Sequence, residues 1–167
     1  MEIYILRHGE AGKRVLNGSK DTERQLTVTG RREVEEVARA VGKLGIELDF
    51  VATSPLKRAS QTAEILAKSL RLKKSAVEEW NELKPEGKRM DLYRKLSQFK
   101  QESSVLAVGH EPYLSNMISE IAFGSYGAGI TLKKAGLAKV HVTSFQPKIK
   151  GELKWLLTPK HLKKVAK

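Results

Sequence analysis

The sequence contains no cysteine, so disulfide bonds and thiolate metal sites are excluded, and a reducing compartment, the cytoplasm, is expected. Aromatic residues make up 6% of the chain, which is few for a nucleic-acid-binding module that stacks bases between its lysines. No apolar run approaches the roughly 20 residues of a membrane-spanning helix. The acidic Glu2 at the start of a strand pattern does not resemble a signal peptide, so we expect neither secretion nor membrane association.

The composition is typical of one folded domain with an excess of positive charge. The chain has 167 residues, of which 40% are hydrophobic and 30% charged, and we predict a single domain over residues 1–167. The formal net charge is +12, and between Lys133 and Lys167 there are ten lysines and a single acid, Glu152. This excess indicates either a solvated surface with a basic tail at about residues 158–167, or anionic partners such as phosphate esters, phosphoproteins or nucleic acid.

Apolar strand patterns alternate with amphipathic helix patterns along the chain. The predicted strands are 3–6, 49–53, 76–78, 104–108, 137–143 and 152–157. The predicted helices are 30–44, 55–70, 91–99 and 113–123. Thr29 and Ser54 precede the first two helices as candidate N-caps, and the polar residues 9–25 form a predicted loop. This alternation predicts an α/β fold, a three-layer α/β/α sandwich with a mostly parallel central sheet.

Basic and imidazole side chains follow three of these strands, at the edge where open α/β sheets bind their ligands. Arg7 and His8 follow the first strand. Arg58 lies in the first turns of the helix after the second strand, and His110 follows the fourth. None of these four groups is an acid, although Glu10 and Glu111 are close in sequence. Guanidinium groups grip two phosphate oxygens at once, a neutral imidazole can attack phosphorus, and Gly9 would let the backbone approach a phosphate. The set therefore predicts phosphoryl transfer.

Four segments carry a resemblance to a known family: LRHGE at 6–10, LTVTG at 26–30, SPLKRASQTA at 54–63 and VGHEP at 108–112. With them the chain resembles the histidine phosphatase superfamily along nearly its whole length. The RHGEA sequence and the NELKPEG stretch at 81–87 are similar to its short phosphohistidine phosphatase branch, the SixA type. The resemblance implies a phosphoglycerate mutase-like fold and phosphatase activity.

The resemblance also implies a role for each matching residue. His8 would be the nucleophile that carries the phosphoryl group, and Arg7 and Arg58 would grip the phosphate. His110 would bind the phosphate and stabilise the transition state. Mutase relatives use a glutamate as proton donor, and Glu82 is the nearest candidate here; the alternative is an ordinary loop acid, since a leaving imidazole needs little acid help.

The spacing of these residues bears on the substrate. Only 23 residues lie between Arg58 and Glu82, and 27 between Glu82 and His110, which leaves no room for a large lid. An open site suits a phosphohistidine-bearing protein of a phosphotransfer or phosphorelay system, from which inorganic phosphate is released. One alternative is a broad phosphatase of small phosphoesters. Another is a basic nucleic-acid-binding module in which RHG occurs by chance.

No metal or other cofactor is expected, because arginines can supply the positive charge. The four histidines show no metal-ligand spacing; they are His8, His110, His141 and His161. His8 must be neutral to attack phosphorus, so activity is expected to fall in acid.

Lys13 and Arg14 follow the RHGEA sequence and are either substrate contacts or solvated.

Overall fold

A six-stranded sheet forms the centre of the structure, a computed structural model that describes residues 1–13 and 21–167. In chain order its strands are β1 (Glu2–Arg7), β2 (Phe50–Thr53), β3 (Val77–Glu79), β4 (Ser104–Gly109), β5 (Leu137–Ser144) and β6 (Lys150–Leu157). Across the sheet the order is β3-β2-β4-β1-β5-β6. The strands β3, β2, β4 and β1 pair in parallel. Strand β5 pairs antiparallel with β1, and β6 pairs antiparallel with β5. The mostly parallel sheet predicted from the sequence is confirmed.

Helices cover both faces of the sheet. They are α1 (Val28–Lys43), α2 (Lys57–Ser69), α3 (Arg89–Leu96), α4 (Tyr113–Phe123) and α5 (Pro159–Ala166). The core on one face includes side chains of α1, α2 and α5, and the core on the other includes those of α3 and α4. The three-layer sandwich is therefore confirmed. Within residues 1–13 and 21–167 we find no helix with the length and apolarity that crossing a bilayer requires.

The side chains of β1 explain why a short apolar segment becomes a central strand. Ile3 and Ile5 are buried on the α3–α4 face, whereas Tyr4 and Leu6 are buried on the α1–α2 face. Successive strand residues point to opposite faces, so a strand covered on both sides reads as a continuous apolar run. The apolar run ends at the carboxyl end of β1.

Two helices begin differently from the sequence prediction. The N-cap of α1 is Thr27, not Thr29, because Thr27 has extended backbone and its hydroxyl accepts a hydrogen bond from Gly30 N at 2.9 Å. The N-cap residue of α2 is Leu56, which has no side-chain cap, rather than Ser54. The Ser54 hydroxyl accepts from Leu56 N at 3.3 Å and also takes part in the site described below.

The segment 158–167, described above as a basic tail, contains α5. Pro159 begins the helix, where its missing N–H costs nothing. Leu162 is fully buried in the core beneath it, and Lys163 Nζ pairs with Glu36 Oε2 of α1 at 3.1 Å. The end of the chain is therefore packed on α1.

The predicted loop between β1 and α1 is described in part. Ala11 forms an antiparallel bridge with Leu26, which brings the two ends of this stretch together. Lys13 is exposed. Arg14, the second candidate substrate contact, lies outside the described residues, as does the rest of segment 14–20.

Glycine at position 30 lets α1 pack directly on the chain that leaves β1. A Cβ added to Gly30 would meet the backbone carbonyl of Glu10, which is held by a hydrogen bond from Thr27 N at 3.0 Å.

We expect Gly30→Ala to lower the free energy of unfolding by about 2 kcal/mol or more, as overpacking does, measured by urea denaturation. Gly42→Ala in the same helix is the control, because its Cβ meets only Leu70 Cδ2 at 3.7 Å and helix propensity favours alanine by up to about 1 kcal/mol. Equal effects of the two substitutions would contradict this packing role.

Candidate active site

A cavity of about 350 Å³ lies at the carboxyl ends of β1, β2 and β4. It is lined by all four side chains that the strand pattern singles out: Arg7, His8, Arg58 and His110. The other lining residues are Ala11, Asp21, Arg24, Pro85, Glu111 and Lys134. The parallel pairing of β1 and β2 with β4 places the three strand ends side by side, and this brings the two imidazoles and the two guanidiniums together.

The His8 ring is buried, with 7% of the residue exposed, and its two nitrogens have different partners. Nδ1 lies 2.7 Å from the carbonyl oxygen of Gly9. A carbonyl only accepts, so Nδ1 carries the proton and the lone pair of the neutral ring is on Nε2. Arg58 Nε donates to this Nε2 at 3.2 Å. The unprotonated nitrogen of His8 therefore faces a guanidinium within the cavity.

The His110 ring lies beside the His8 ring, with the centroids 5.1 Å apart and the planes 54° to each other. His110 is 2% exposed. Its Nε2 lies 2.8 Å from the hydroxyl of Ser54, at the end of β2. Its Nδ1 is buried and has no hydrogen-bond partner among the described residues. If the Ser54 hydroxyl donates to Nε2, Nδ1 carries the proton and is a donor for a ligand.

Both rings are neutral at pH 7. Burial lowers the pKa of His8 to about 4; the hydrogen bond to Gly9 opposes this change, and the positive charges of Arg58 and Arg7 add to it. Burial lowers the pKa of His110 to about 3, helped by the His8 ring and by Arg58. A neutral imidazole keeps the lone pair that a nucleophile needs.

The Arg58 guanidinium connects His8 to a carboxylate, Asp21. Arg58 Nη1 donates to the backbone oxygen of Asp21 at 2.8 Å, and Nη2 donates to Oδ2 at 3.2 Å. The other carboxylate oxygen lies 2.8 Å from Nε of Arg24. Burial would raise the pKa of Asp21, but Arg58 and Arg24 lower it below its usual range. Asp21 therefore adds a carboxylate beside the four groups that the strand pattern did not single out.

The segment before β5 holds the end of β1 in place. Arg7 Nη1 donates to the carbonyl oxygen of Leu132 at 3.0 Å, and Ala135 N lies 3.1 Å from the carbonyl of Arg7 and 3.2 Å from that of His8. Lys134, between these two contacts, lines the cavity. Arg7 Nε is buried without a partner among the described residues, so it too is a donor for a ligand.

Gly9 is buried behind the cavity, where its backbone supports His8. Its N–H donates to Thr62 Oγ1 at 3.2 Å, and its carbonyl accepts from His8. A Cβ there would lie 2.7 Å from Val34 Cγ2, which gives a packing reason for glycine. Its predicted contact with phosphate stays a prediction.

Two glutamates near the strand ends are held by other groups. Glu111 lines the cavity, and its carboxylate accepts from the N–H of Ser115 at 3.0 Å and from the Ser115 hydroxyl. Glu82 is not among the cavity-lining residues and pairs with Lys95 Nζ at 2.9 Å. Burial would raise the pKa of Glu82, but the hydrogen bond from Lys95 lowers it below its usual value. Its role as proton donor stays a prediction, to which this geometry lends no support.

The charges around the cavity suit an oxyanion. Four cationic side chains and two carboxylates line it, so positive charge prevails. Guanidinium and imidazole N–H groups are strong donors to phosphate oxygens. In the part of the chain that the structure describes, no group of three histidine, aspartate or glutamate side chains is placed to hold a metal ion.

The comparison with protein families decides the relationship. The family model for the histidine phosphatase superfamily (branch 1) matches residues 3–87, about half of the chain. The chain belongs to this superfamily. It is accordingly a phosphatase with a phosphoglycerate mutase-like fold, and membership favours an enzyme over the nucleic-acid-binding alternative.

Relatives that match nearly the whole chain place this histidine phosphatase within its superfamily. An uncharacterized protein of Picosynechococcus sp. is 34% identical over 166 residues, which cover 97% of this chain and 99% of that protein. Phosphohistidine phosphatase SixA of Escherichia coli (strain K12) is 29% identical over 173 residues, covering 98% of this chain and 97% of that protein. A solved structure of the protein histidine phosphatase SixA complexed with tungstate has a TM-score of 0.83 at 28% identity, covering 97% and 99% of the two chains. The resemblance to the SixA-type branch is confirmed.

Three charged residues that line the histidine phosphatase cavity were not predicted from the sequence. They are Asp21, Arg24 and Lys134. The spacing of Asp21 and Arg24, three residues apart, is compatible with an ion pair, and this was the only local signal. Lys134 lies in a lysine-rich stretch, in which no pattern distinguishes one lysine from the next.

The two buried rings make the stability of this histidine phosphatase depend on pH. An unfolded histidine takes up a proton near pH ~6.5, whereas the folded pKa is about 4 for His8 and about 3 for His110. As the pH falls below ~6.5, the unfolded state therefore binds more protons than the folded state. The free energy of unfolding should fall by up to about 1.4 kcal/mol per pH unit for each ring, measured by urea denaturation between about pH 7 and 5.

His110→Gln serves as the control for this pH dependence. It removes one titrating ring, and its amide can keep a hydrogen bond to Ser54. The variant should lose stability with about half the slope of the wild-type protein. A slope equal to that of wild type would show that His110 is not held neutral in the folded state.

Proposed function

We propose that this protein is a phosphohistidine phosphatase that transfers the phosphoryl group of a protein phosphohistidine to His8 and releases it as inorganic phosphate. The observation that carries the proposal is the state of His8, whose proton is on Nδ1 against Gly9 and whose lone pair is on Nε2 in the cavity. The relationship to SixA of Escherichia coli, a phosphohistidine phosphatase, supports the choice of substrate.

The phosphoryl group would bind between the guanidiniums and the imidazoles. Arg7 Nε and His110 Nδ1 are buried and have no partner among the described residues. An oxyanion would satisfy both when the ring proton of His110 is on Nδ1. Arg58 Nε, now directed to His8 Nε2, would donate to a phosphate oxygen once phosphorus approaches that nitrogen. Together these groups stabilise the charge of the equatorial oxygens in an in-line transfer.

In the first step, the lone pair of His8 Nε2 forms a bond to phosphorus. The bond between phosphorus and the substrate imidazole breaks, and its electron pair goes to the substrate nitrogen. A proton from solvent adds to the other substrate nitrogen, so the imidazole leaves as a neutral ring, and the second step returns a proton to solvent. The His8 proton stays on Nδ1 throughout and is donated in a hydrogen bond to the carbonyl of Gly9, and phospho-His8 is formed.

In the second step, water attacks the phosphorus of phospho-His8. The P–N bond breaks, its electron pair returns to Nε2, and the proton of water leaves with the phosphate or to solvent. The positive charge in both steps comes from arginines, so no metal is required. Because the pKa of His8 is about 4, the neutral nucleophile persists in mildly acidic solution and activity falls only in stronger acid.

The surroundings of the cavity favour a phosphate displayed on a protein. The chain carries a net charge of +12, and the cationic side chains of Arg24 and Lys134 line the cavity. Positive charge around a site attracts an acidic phosphoprotein and speeds its association, and salt weakens the effect. The proposed partner is therefore a phosphohistidine-bearing phosphotransfer or phosphorelay protein.

His8→Ala tests the nucleophile. We expect the rate of phosphohistidine hydrolysis to fall by more than about a thousandfold, and the acid-labile phosphoryl label seen on the wild-type protein to be absent. His161→Ala, at an exposed position in α5, is the control and should retain activity. Treatment with EDTA should leave the wild-type rate unchanged. Full activity of His8→Ala would exclude the proposed mechanism.

A comparison of substrates tests the substrate class. The kcat/KM for a phosphohistidine peptide should exceed that for sugar phosphates by more than about tenfold, because an imidazole leaves more readily than an alkoxide without acid help. Measurement of inorganic phosphate release with both substrates in one assay gives the ratio. A ratio that favours the sugar phosphates would identify the protein as a phosphatase of small phosphoesters instead.

A further inference from the structure

Asp21 has no part in the chemistry proposed above, although it lies in the same cavity. Its carboxylate joins two guanidiniums: Oδ2 accepts from Arg58 Nη2 at 3.2 Å, and Oδ1 lies 2.8 Å from Arg24 Nε. A carboxylate beside the binding place of a phosphate should repel it. We therefore looked for a favourable effect of the Asp21 carboxylate that exceeds its repulsion of the phosphate.

The side of Arg58 that Asp21 occupies suggests that function. Asp21 takes the outer end of the guanidinium, through its backbone oxygen on Nη1 and its carboxylate on Nη2. The lateral side, where Nε lies, is thereby turned to His8 Nε2 at 3.2 Å. Guanidinium groups grip phosphate with two parallel N–H bonds. With its outer end held, Arg58 presents Nε towards the nitrogen that attacks phosphorus.

The turn that carries Asp21 is itself fixed to the site. The carbonyl of Thr22 accepts from the N–H of Lys57, at the start of α2, at 2.9 Å. Arg24 Nη1 donates to the carbonyl of Gly12 at 3.0 Å. The carboxylate is thus anchored both to the helix that carries Arg58 and to the chain that leaves β1.

We propose that Asp21 is a positioning residue, which holds Arg58 and Arg24 in the orientation that binds the transferred phosphoryl group. The inference rests on the proposed function, because it assumes that an oxyanion binds beside His8. It predicts that oxyanion affinity falls when the Asp21 carboxylate is removed. If Asp21 instead competed with the phosphate for Arg58, affinity would rise.

Tungstate binding to the purified protein, measured by titration calorimetry, tests the role without any turnover. Asp21→Asn keeps the shape of the side chain but loses the charge that holds two guanidiniums, and it should bind tungstate about tenfold more weakly than wild type. Glu23→Gln is the matched control, since this exposed acid lies two residues away. Its effect should stay below about twofold, because exposed charges are screened.

A double-mutant cycle separates positioning from a general loss of structure. In an Arg58→Lys background the Asp21→Asn change should weaken tungstate binding by a smaller factor than in wild type, since the two residues act together. Should Asp21→Asn fail to fold, Asp21→Glu keeps the charge but displaces it by one methylene, and we again expect weaker binding. Equal or tighter binding by the folded variant would overturn the proposal, as would the same loss in both backgrounds.

The outcome for wild type distinguishes this inference from the function on which it rests. Failure of the wild-type protein to bind tungstate and to form phospho-His8 would count against the proposed function. Normal binding by both the wild type and Asp21→Asn would count only against the positioning role of Asp21.

Discussion

The site depends on one hydrogen bond, from His8 Nδ1 to the carbonyl of Gly9 at 2.7 Å. It places the proton on Nδ1 and leaves the lone pair on Nε2, where the cavity is. Gly9 is fixed in turn, because its N–H donates to Thr62 Oγ1 of α2 and its Cα packs so closely against Val34 of α1 that no Cβ would fit. The packing of two helices on the end of β1 thus determines which nitrogen of His8 has its lone pair in the cavity.

The meeting of the candidate site residues at one cavity could be predicted because their positions follow from strand geometry. Arg7, His8 and His110 each lie at or just beyond the end of a buried strand, and in a parallel sheet such ends share one edge. Asp21 could not be predicted in the same way. Its contact with Arg58 joins positions 37 apart in sequence. Asp21 lies in a polar segment without hydrophobic periodicity, so no sequence pattern predicts this contact. Loop residues therefore complete a site whose outline the strands set.

For the fold, too, the elements with a periodic sequence pattern could be predicted, whereas features decided by a single contact could not. The sheet and its covering helices follow from alternating strand and helix patterns, but the start of α1 was predicted two residues late, since Thr27 and Thr29 are both acceptable caps by composition. Only the hydrogen bond from Gly30 N distinguishes them. Helix α5 was missed because its many lysines suggested a solvated tail, whereas Pro159 and Leu162 are buried and Leu162 packs in the core. Lysine stems also cover apolar surface, so a basic segment can still pack.

The carboxylates near the cavity bear on which bond this phosphatase breaks. Asp21 is engaged by two arginines, Glu111 by the N–H and hydroxyl of Ser115, and Glu82 by Lys95 at 2.9 Å. The pKa values of Asp21 and Glu82 are lowered by these partners, so these two carboxylates stay ionised and donate a proton poorly. A phosphoester needs such a proton for its alkoxide to leave, whereas an imidazole can leave as a neutral ring after protonation by water. These ion pairs therefore support the proposed cleavage of a P–N bond rather than a P–O bond.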